Sequence, residues 1–334
     1  MKAMVFNEFG PPDVLHYEDR PVPDPGSNDL VMQVHAVSVN RVLDVEIRSG
    51  RAPHYGVTPP HIPGVDPSGV VVAVGDNVTE FAVGDRVSAT LTMPKGGRYG
   101  IECDGGDAEY ALAPAGCCVK VRDEVGFAEA TVISRHGPVA YNLLFRHGKL
   151  EAGQTVLILG ASGNLGSIGI QLAKAAGATV IAAAGSADRA SVGAELGADY
   201  AVNYGEIDLV DAVMDITDGR GVSLFYDNIA NPDVCSKGIE CLSRHGRMVT
   251  AGAHGGPVVP INFHTVYNRQ LTIKGDPQSI ASDALPCFDA AAEGKLKAVI
   301  DRVVPLSKAP AMHALLESPE GVGVGKIILD PTLG

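Results

Sequence analysis

The sequence predicts an α/β protein of two domains, one β-rich and barrel-like, the other built on a parallel sheet with helices on both faces. Three observations lead there. The chain has 334 residues, about twice the usual size of a single domain. Up to about residue 122, short β-branched or alternating runs are separated by Pro and Gly clusters. After about Phe127, runs of helix formers alternate with compact apolar strands, the pattern of a parallel sheet buried on both sides.

In chain order, strands are expected at 2–6, 29–39, 69–74, 86–89 and 108–112, with turn clusters at 21–26 and 59–64. The second part offers strands at 155–159, 179–183, 224–227, 247–251 and 271–273. The tail carries a helical stretch, 282–293, and strand-like 299–304 and 326–329, which are assigned to the first domain. There is no internal repeat, so solenoid architectures drop out.

Composition narrows the function classes. The chain has 26 Lys+Arg against 39 Asp+Glu, a formal charge of -13. A face built to neutralise nucleic-acid phosphates is not expected from that balance. No apolar run reaches the ~18 to 20 residues that cross a bilayer, and Asn7-Glu8 interrupts the start too soon for a signal peptide. A cytoplasmic protein acting on small molecules, without nucleic-acid or membrane partners, is the expectation. The six cysteines, Cys103, Cys117, Cys118, Cys235, Cys241 and Cys287, include no C-x-x-C pair and read as reduced thiols.

The most informative stretch runs from Thr155 through Leu159-Gly160-Ala161-Ser162-Gly163-Asn164-Leu165-Gly166 into a helical segment and a second strand from Thr179. A glycine-rich turn that leaves a strand and opens a helix lets backbone approach a pyrophosphate, whose charge the free N–H groups and the helix dipole stabilise. Gly163 is the point of close approach, and Gly166 lets helix and strand pack tightly. Leu165, Ile168, Leu172 and Ala175 follow at helical spacing, and Gly177 stands where a C-terminal cap belongs. Ala161 replaces the first glycine after Gly160 in the usual G-x-G-x-x-G pattern; the strand, turn, helix and strand in order supply the remaining evidence. The second strand ends in Ala183-Ala184-Gly185-Ser186 without the carboxylate that commonly binds a ribose 2′-hydroxyl, and Arg189 follows Asp188. A 2′-phosphate would meet a hydroxyl and a guanidinium there, so NADPH is preferred over NADH. The competing reading of Arg189 is a solvated helix residue.

Further motifs extend along the chain: Met1-Lys2-Ala3, Ile47-Arg48-Ser49-Gly50, Pro63-Gly64-Val65-Asp66-Pro67-Ser68-Gly69, Val83-Gly84-Asp85-Arg86-Val87, Gly105-Gly106-Asp107-Ala108-Glu109-Tyr110 and Val139-Ala140-Tyr141. Together with Gly153-Gln154, Ala161-Ser162-Gly163, Gln171 and Lys174, they make the chain resemble the medium-chain dehydrogenase/reductase superfamily, and within it the zinc-independent quinone oxidoreductase group. Asn164 departs from that group, where a second glycine is usual. The resemblance implies a GroES-like β-barrel catalytic domain from residues 1–125 and 276–334, and a Rossmann doubly wound parallel sheet, the NADP-binding domain, from 126–275. Cofactor residues implied are Gly160, Ala161, Ser162, Gly163, Asn164 and Leu165 at the pyrophosphate, and Gly185, Ser186, Arg189 and Tyr204 at the 2′-phosphate. Asn228, Gly252 and Ala253 would line the cofactor crevice, and Arg41 matches a position that contacts the pyrophosphate in some relatives, across an apparent one-residue insertion before Asp44.

Zinc-dependent relatives take their catalytic ligands from positions that read Asn40, Val65 and Arg135 here. These cannot form a tetrahedral N/S site, and the four-cysteine structural lobe is missing, so no metal is expected. Without a Lewis acid, conjugated acceptors fit best, because hydride addition to carbon spreads charge to a distal oxygen that a few donors can stabilise. The implied catalytic candidates are Asn40 as a carbonyl-orienting donor, Tyr55 as a proton source, and Arg135 with His136 as a cationic pair. The bland readings are a turn amide, loop packing and an ion pair, respectively.

The expected function is an NADPH-dependent reductase of quinones or other α,β-unsaturated carbonyl compounds. The alternatives are an enoyl-thioester reductase of the same fold and an NADPH-binding structural or regulatory protein with little turnover. Relatives often pair through a sheet edge, so a homodimer is expected, with 249–252 and 271–275 as its edge.

Overall fold

The computed structural model describes residues 1–252, 255–256, 258–278, 280–318, 321 and 323–334. It divides into two compact units, one of Met1–Arg135, Ile280–Ala292 and Ala298–Gly334, the other of His136–Ser279 and Glu293–Lys297. Among the described residues, the strands of the leading stretch are β1 (Lys2–Phe6), β2 (Leu15–Asp19), β3 (Asp29–Ser38), β4 (Ser68–Val74), β5 (Arg86–Ala89), β6 (Tyr110–Pro114) and β7 (Cys118–Lys120). The middle carries β8 (Thr155–Leu159), β9 (Thr179–Ala184), β10 (Tyr200–Asn203), β11 (Val222–Asp227), β12 (Leu242–Thr250) and β13 (Thr272–Gly275), and the tail β14 (Ile300–Pro305) and β15 (Lys326–Asp330).

In the first unit, β3 is the hub. Its alternating and β-branched residues pair antiparallel with β4, with β6 and, at Val37 and Ser38, with β15 of the tail. The sheet order is β14-β15-β3-β4-β5-β7 with β6 on β3, and β1 pairs separately with β2. Met4, Phe6, Val37, Val65, Ile327 and Leu329 form one core, and Leu30, Met32, Val71, Val87 and Tyr99 another. β3 is mostly buried, and β6 alternates buried with half-buried positions, as expected of an antiparallel strand with one face on the core.

The second unit is the parallel sheet. Its order is β10-β9-β8-β11-β12-β13, with the direction of strand addition reversing between β8 and β11. Phe225 pairs with Leu157, and Leu157 with Ile181, across the middle of it. Leu157, Leu159, Ile181, Phe225 and Met248 fill its core, and the near-continuous apolar runs of β8 and β9 are buried because helices flank the sheet. In such a sheet the carboxyl ends of the strands beside the reversal are where ligands bind.

The structure adds strands that the sequence pattern hides. β2 (LHYED), β10 (YAVN) and β7 (CVK) are short or half polar, and each pairs along a neighbour whose apolar face does the packing. β6 starts two residues later than the pattern suggests, at Tyr110. β12 begins five residues earlier, at Leu242; His245 there has φ +61° and the pairing with β11 shifts register between Val222 and Leu224. Among the described residues, no helix is long and apolar enough to cross a membrane.

Candidate active site

The second unit presents the glycine-rich turn. β8 ends at Leu159, and Gly160 takes φ +72°, a left-handed conformation that costs glycine nothing. Its N–H donates to Ala183 O at 3.1 Å, tying the turn to the end of β9, and Gly163 N–H closes the turn on Gly160 O at 2.9 Å. Gly163 is the N-cap of the helix Asn164–Ala175 and offers no side chain to its free N–H groups, which leaves those donors and the helix dipole open to an anion. Gly166 serves packing: a Cβ there would stand 2.1 Å from Gly160 O. Ala161 is buried, Ser162, Asn164 and Leu165 are partly so, and Leu165 O accepts from Tyr226 OH at 3.4 Å. Gly177 follows the helix with φ +80°.

Beside this turn, Asn228 follows β11 and donates Nδ2–H to Leu159 O at 2.8 Å, while its buried Oδ1 has no partner among the described residues. Gly252 closes on the same place, since a Cβ on it would meet Asn228 O at 2.2 Å. Gly160, Asn228 and Gly252 are thus brought together; Ala253 lies outside the described residues. At the end of β9, a Cβ on Gly185 would touch the Tyr204 ring at 3.2 Å. Burial pushes the Tyr204 phenol up, and the nearby Arg189 guanidinium pulls it down. Arg189 is exposed and makes no hydrogen bond or ion pair among the described residues, and Ser186 caps the helix Ala187–Glu195 without using its hydroxyl.

The first unit holds a buried polar cluster. Asp66 accepts from Ser38 N at 2.8 Å, Ser38 Oγ at 2.6 Å and Thr131 Oγ1 at 2.8 Å. Asn40 Nδ2 donates to Asp66 Oδ2 and Ser38 O, both at 3.1 Å, and its Oδ1 accepts from Lys326 Nζ. Both ends of the Asn40 side chain are committed inside the unit, so orienting an outside carbonyl would require breaking one of these bonds. Asp44 accepts from Asn40 N at 2.6 Å and Gly64 N at 3.3 Å; burial, and then the Asp66 carboxylate, raise it to about 6. Burial lowers Lys326 to about 8 against the opposing pull of Asp66. Asp107, buried next to the same acids, is pushed well above the carboxylate range.

Arg135, which ends the leading segment of the first unit, feels this cluster electrostatically. Burial pulls its guanidinium down while Asp66, Asp44 and Tyr55 hold it up, and its buried Nε has no partner among the described residues. Tyr55 packs partly buried on the first unit's core, with Arg98 5.1 Å from its ring centroid. His136 opens the second unit and is buried. The insertion before Asp44 takes a physical form: Arg41–Val45 is a π-helical turn in which Asp44 N and Val45 N both donate to Asn40 O, at 2.8 and 3.3 Å. It leaves Arg41 exposed, with no partner among the described residues. Lys326 is the site residue that motif reading missed; a lysine leading the apolar run Ile327-Ile328-Leu329 was the available signal.

Residues 26–123 match the family described as alcohol dehydrogenase GroES-like domain, and residues 165–279 the one described as zinc-binding dehydrogenase. Human quinone oxidoreductase is 32% identical, over 98% of this chain and 97% of its own. The 2-haloacrylate reductase of a Burkholderia species is 30% identical, over 98% of each. A crystal structure of an NAD-dependent alcohol dehydrogenase superposes with a TM-score of 0.88 at 32% identity, over 99% of both chains. Enzymes of this kind work with a nicotinamide cofactor. The chain belongs to the medium-chain dehydrogenase/reductase superfamily, in its quinone oxidoreductase group, and is an oxidoreductase.

Proposed function

We propose that the protein is an NADPH-dependent reductase that passes hydride to quinones or other α,β-unsaturated carbonyl compounds and does so without a metal. The observation that carries the cofactor choice is the end of β9: no carboxylate stands there, and the unpaired Arg189 lies beside Tyr204. The residues fit a dinucleotide. The uncapped helix start at Gly163 and the orphaned Asn228 Oδ1 are available to such a ligand, and Gly252 lets the end of β12 close against Asn228 beside them. Gly185, Ser186, Arg189 and Tyr204 would hold a 2′-phosphate, and Arg41 the pyrophosphate. When bound, the reduced nicotinamide supplies the hydride.

The chain's own residues then position and polarise. Arg135, whose Nε–H is unused, stabilises the oxygen on which charge develops. Tyr55 delivers a proton, and His136 completes a cationic pair with Arg135. Asn40 holds Lys326 and Asp66 together, and the positions Asn40, Val65 and Arg135 offer no tetrahedral ligand set. A conjugated acceptor agrees with the relatives' names, since a 2-haloacrylate is itself an α,β-unsaturated acid.

Arg189→Ala should weaken NADPH binding about tenfold or more and leave NADH binding within twofold, as read by fluorescence titration. Equal losses would remove its role. Arg135→Leu should lower kcat on the order of a hundredfold with NADPH affinity unchanged. Stopped-flow oxidation of NADPH with quinones, 2-alkenals and enoyl thioesters separates the proposed activity from the thioester alternative, and absence of turnover with any of them favours the structural role.

The protein works as a homodimer in this proposal, joined along β13. That strand ends the parallel sheet, all four of its residues are exposed, and Ile273, Phe263, Tyr267 and Val258 add exposed apolar surface to the same unit. Ile273→Asp should convert a dimer to a monomer in light scattering, and a monomeric unaltered protein would end the idea.

A further inference from the structure

The first unit contains a cavity of 530 Å³ whose walls include none of Asn40, Tyr55, Arg135 or the nucleotide-binding residues. β1, the turn after β2, the segments around residues 61 and 104, and β6 line it, and it is open to solvent on one side. That volume falls in the range of small-molecule sites and is far larger than a packing defect. Val5, Pro21, Ile62, Met93, Leu112 and Pro114 make its surface largely apolar.

The few polar groups select the guest. Arg20, in the wall, donates Nη2–H to Glu18 at 2.6 Å, but its buried Nε–H has no acceptor among the described residues. An orphaned buried donor is uncommon and marks a place where a ligand oxygen or water belongs. His61 Nε2 is engaged with Gly100 O at 3.0 Å, and burial keeps the ring below its ordinary value, hence neutral. Asp29 stands in the wall, and the largely exposed Asp104 lies 3.6 Å from His61 Nδ1. Glu18 already takes the guanidinium, and the Met1 ammonium in the same wall donates to Arg20 O at 2.8 Å and is balanced by Asp29 and Asp104, so the wall has no surplus positive charge for an anion. Burial raises the Cys103 thiol, so it stays protonated and unreactive.

We infer that this cavity is a second small-molecule site, for a neutral, largely apolar compound with an accepting oxygen that takes the Arg20 Nε–H. The site is separate from the reductase reading and stands or falls without it. The probe is prodan, a neutral naphthyl ketone whose emission shifts to the blue in apolar surroundings, titrated into the full-length protein saturated with NADPH. One bound equivalent is expected. Met93→Trp and Leu112→Trp fill the space and should abolish binding, whereas Arg20→Met should weaken it roughly tenfold, the loss of one buried hydrogen bond. Unchanged affinity in the folded tryptophan variants overturns the site, and unchanged affinity in Arg20→Met overturns its ligand class. Should the tryptophan variants not fold, a crystal of the unaltered protein soaked in prodan decides: density in this cavity supports the inference, and density only elsewhere, or none, sinks it.

Discussion

Gly166→Ala is expected to lower thermal stability and NADPH affinity together, whereas Gly163→Ala lowers affinity alone. The difference lies in what each added methyl meets. At Gly166 it would sit 2.1 Å from Gly160 O and 2.8 Å from Gly160 C, both backbone atoms of the turn that the helix must pack against. Backbone cannot swing aside as a side-chain tip can. Either the helix Asn164–Ala175 lifts off β8 or the turn opens, and overpacking of this kind costs about 1–3 kcal/mol. A shift of about an ångström in the N–H groups at the helix start should weaken a pyrophosphate on the order of a hundredfold. At Gly163 the backbone is extended, with φ -80°, and an added Cβ meets only Gly160 O at 3.3 Å. The fold accepts it, and only the space a ligand needs is lost. Calorimetry of the two variants with and without NADPH reads both quantities. An unchanged melting temperature for Gly166→Ala would show that the turn is plastic.

That contrast also shows what was legible in the sequence. Gly160, Gly163 and Gly166 are local: their spacing, the apolar strand before them and the helical spacing of Ile168 and Leu172 lie within a few residues of one another. Arg189 and Tyr204 are tied to the same unit by parallel pairing of β9 with β10, which places Asn203 against Ala184. The buried cluster is of another kind. Lys326 reaches Asn40 across 286 residues, and no periodicity links a lysine in the last strand to an amide after the third. For that reason the partners of the Asn40 amide, Ser38 and Asp66, were not legible in the sequence, where it stood as a carbonyl-orienting donor or a turn amide. Arg41 stands at the start of a π-helical turn closed by backbone hydrogen bonds to Asn40 O, a local geometry that the residue pattern does not encode.

His313→Leu is expected to stabilise the protein, by about 1–3 kcal/mol at pH 7.5 and by roughly 2 kcal/mol more at pH 5. His313 lies on the helix Ala309–Glu317, fully buried, and neither ring nitrogen has a hydrogen-bond partner among the described residues. Leucine has similar bulk, favours helix, and leaves no polar atom stranded. The pH term follows from where the proton goes. Burial, and then the Arg48 guanidinium, lower the imidazole to about 3 from an ordinary 6.5, against the pull of Glu317. Between those values the unfolded chain binds a proton that the folded one refuses, so stability is intact above 6.5 and falls steadily as the pH drops towards 3. Asp44 slopes the other way. Its carboxyl, raised to about 6, takes up a proton in the folded state before the unfolded one does, which favours folding as pH falls from 6 towards 4. The two effects partly cancel in the unaltered protein, so its acid profile alone is uninformative, and the difference between the two proteins isolates His313. Urea unfolding at the two pH values measures it. A gap that stays constant with pH would mean that the ring is protonated in the folded state, and a destabilised variant would mean that its nitrogens are satisfied by bound water.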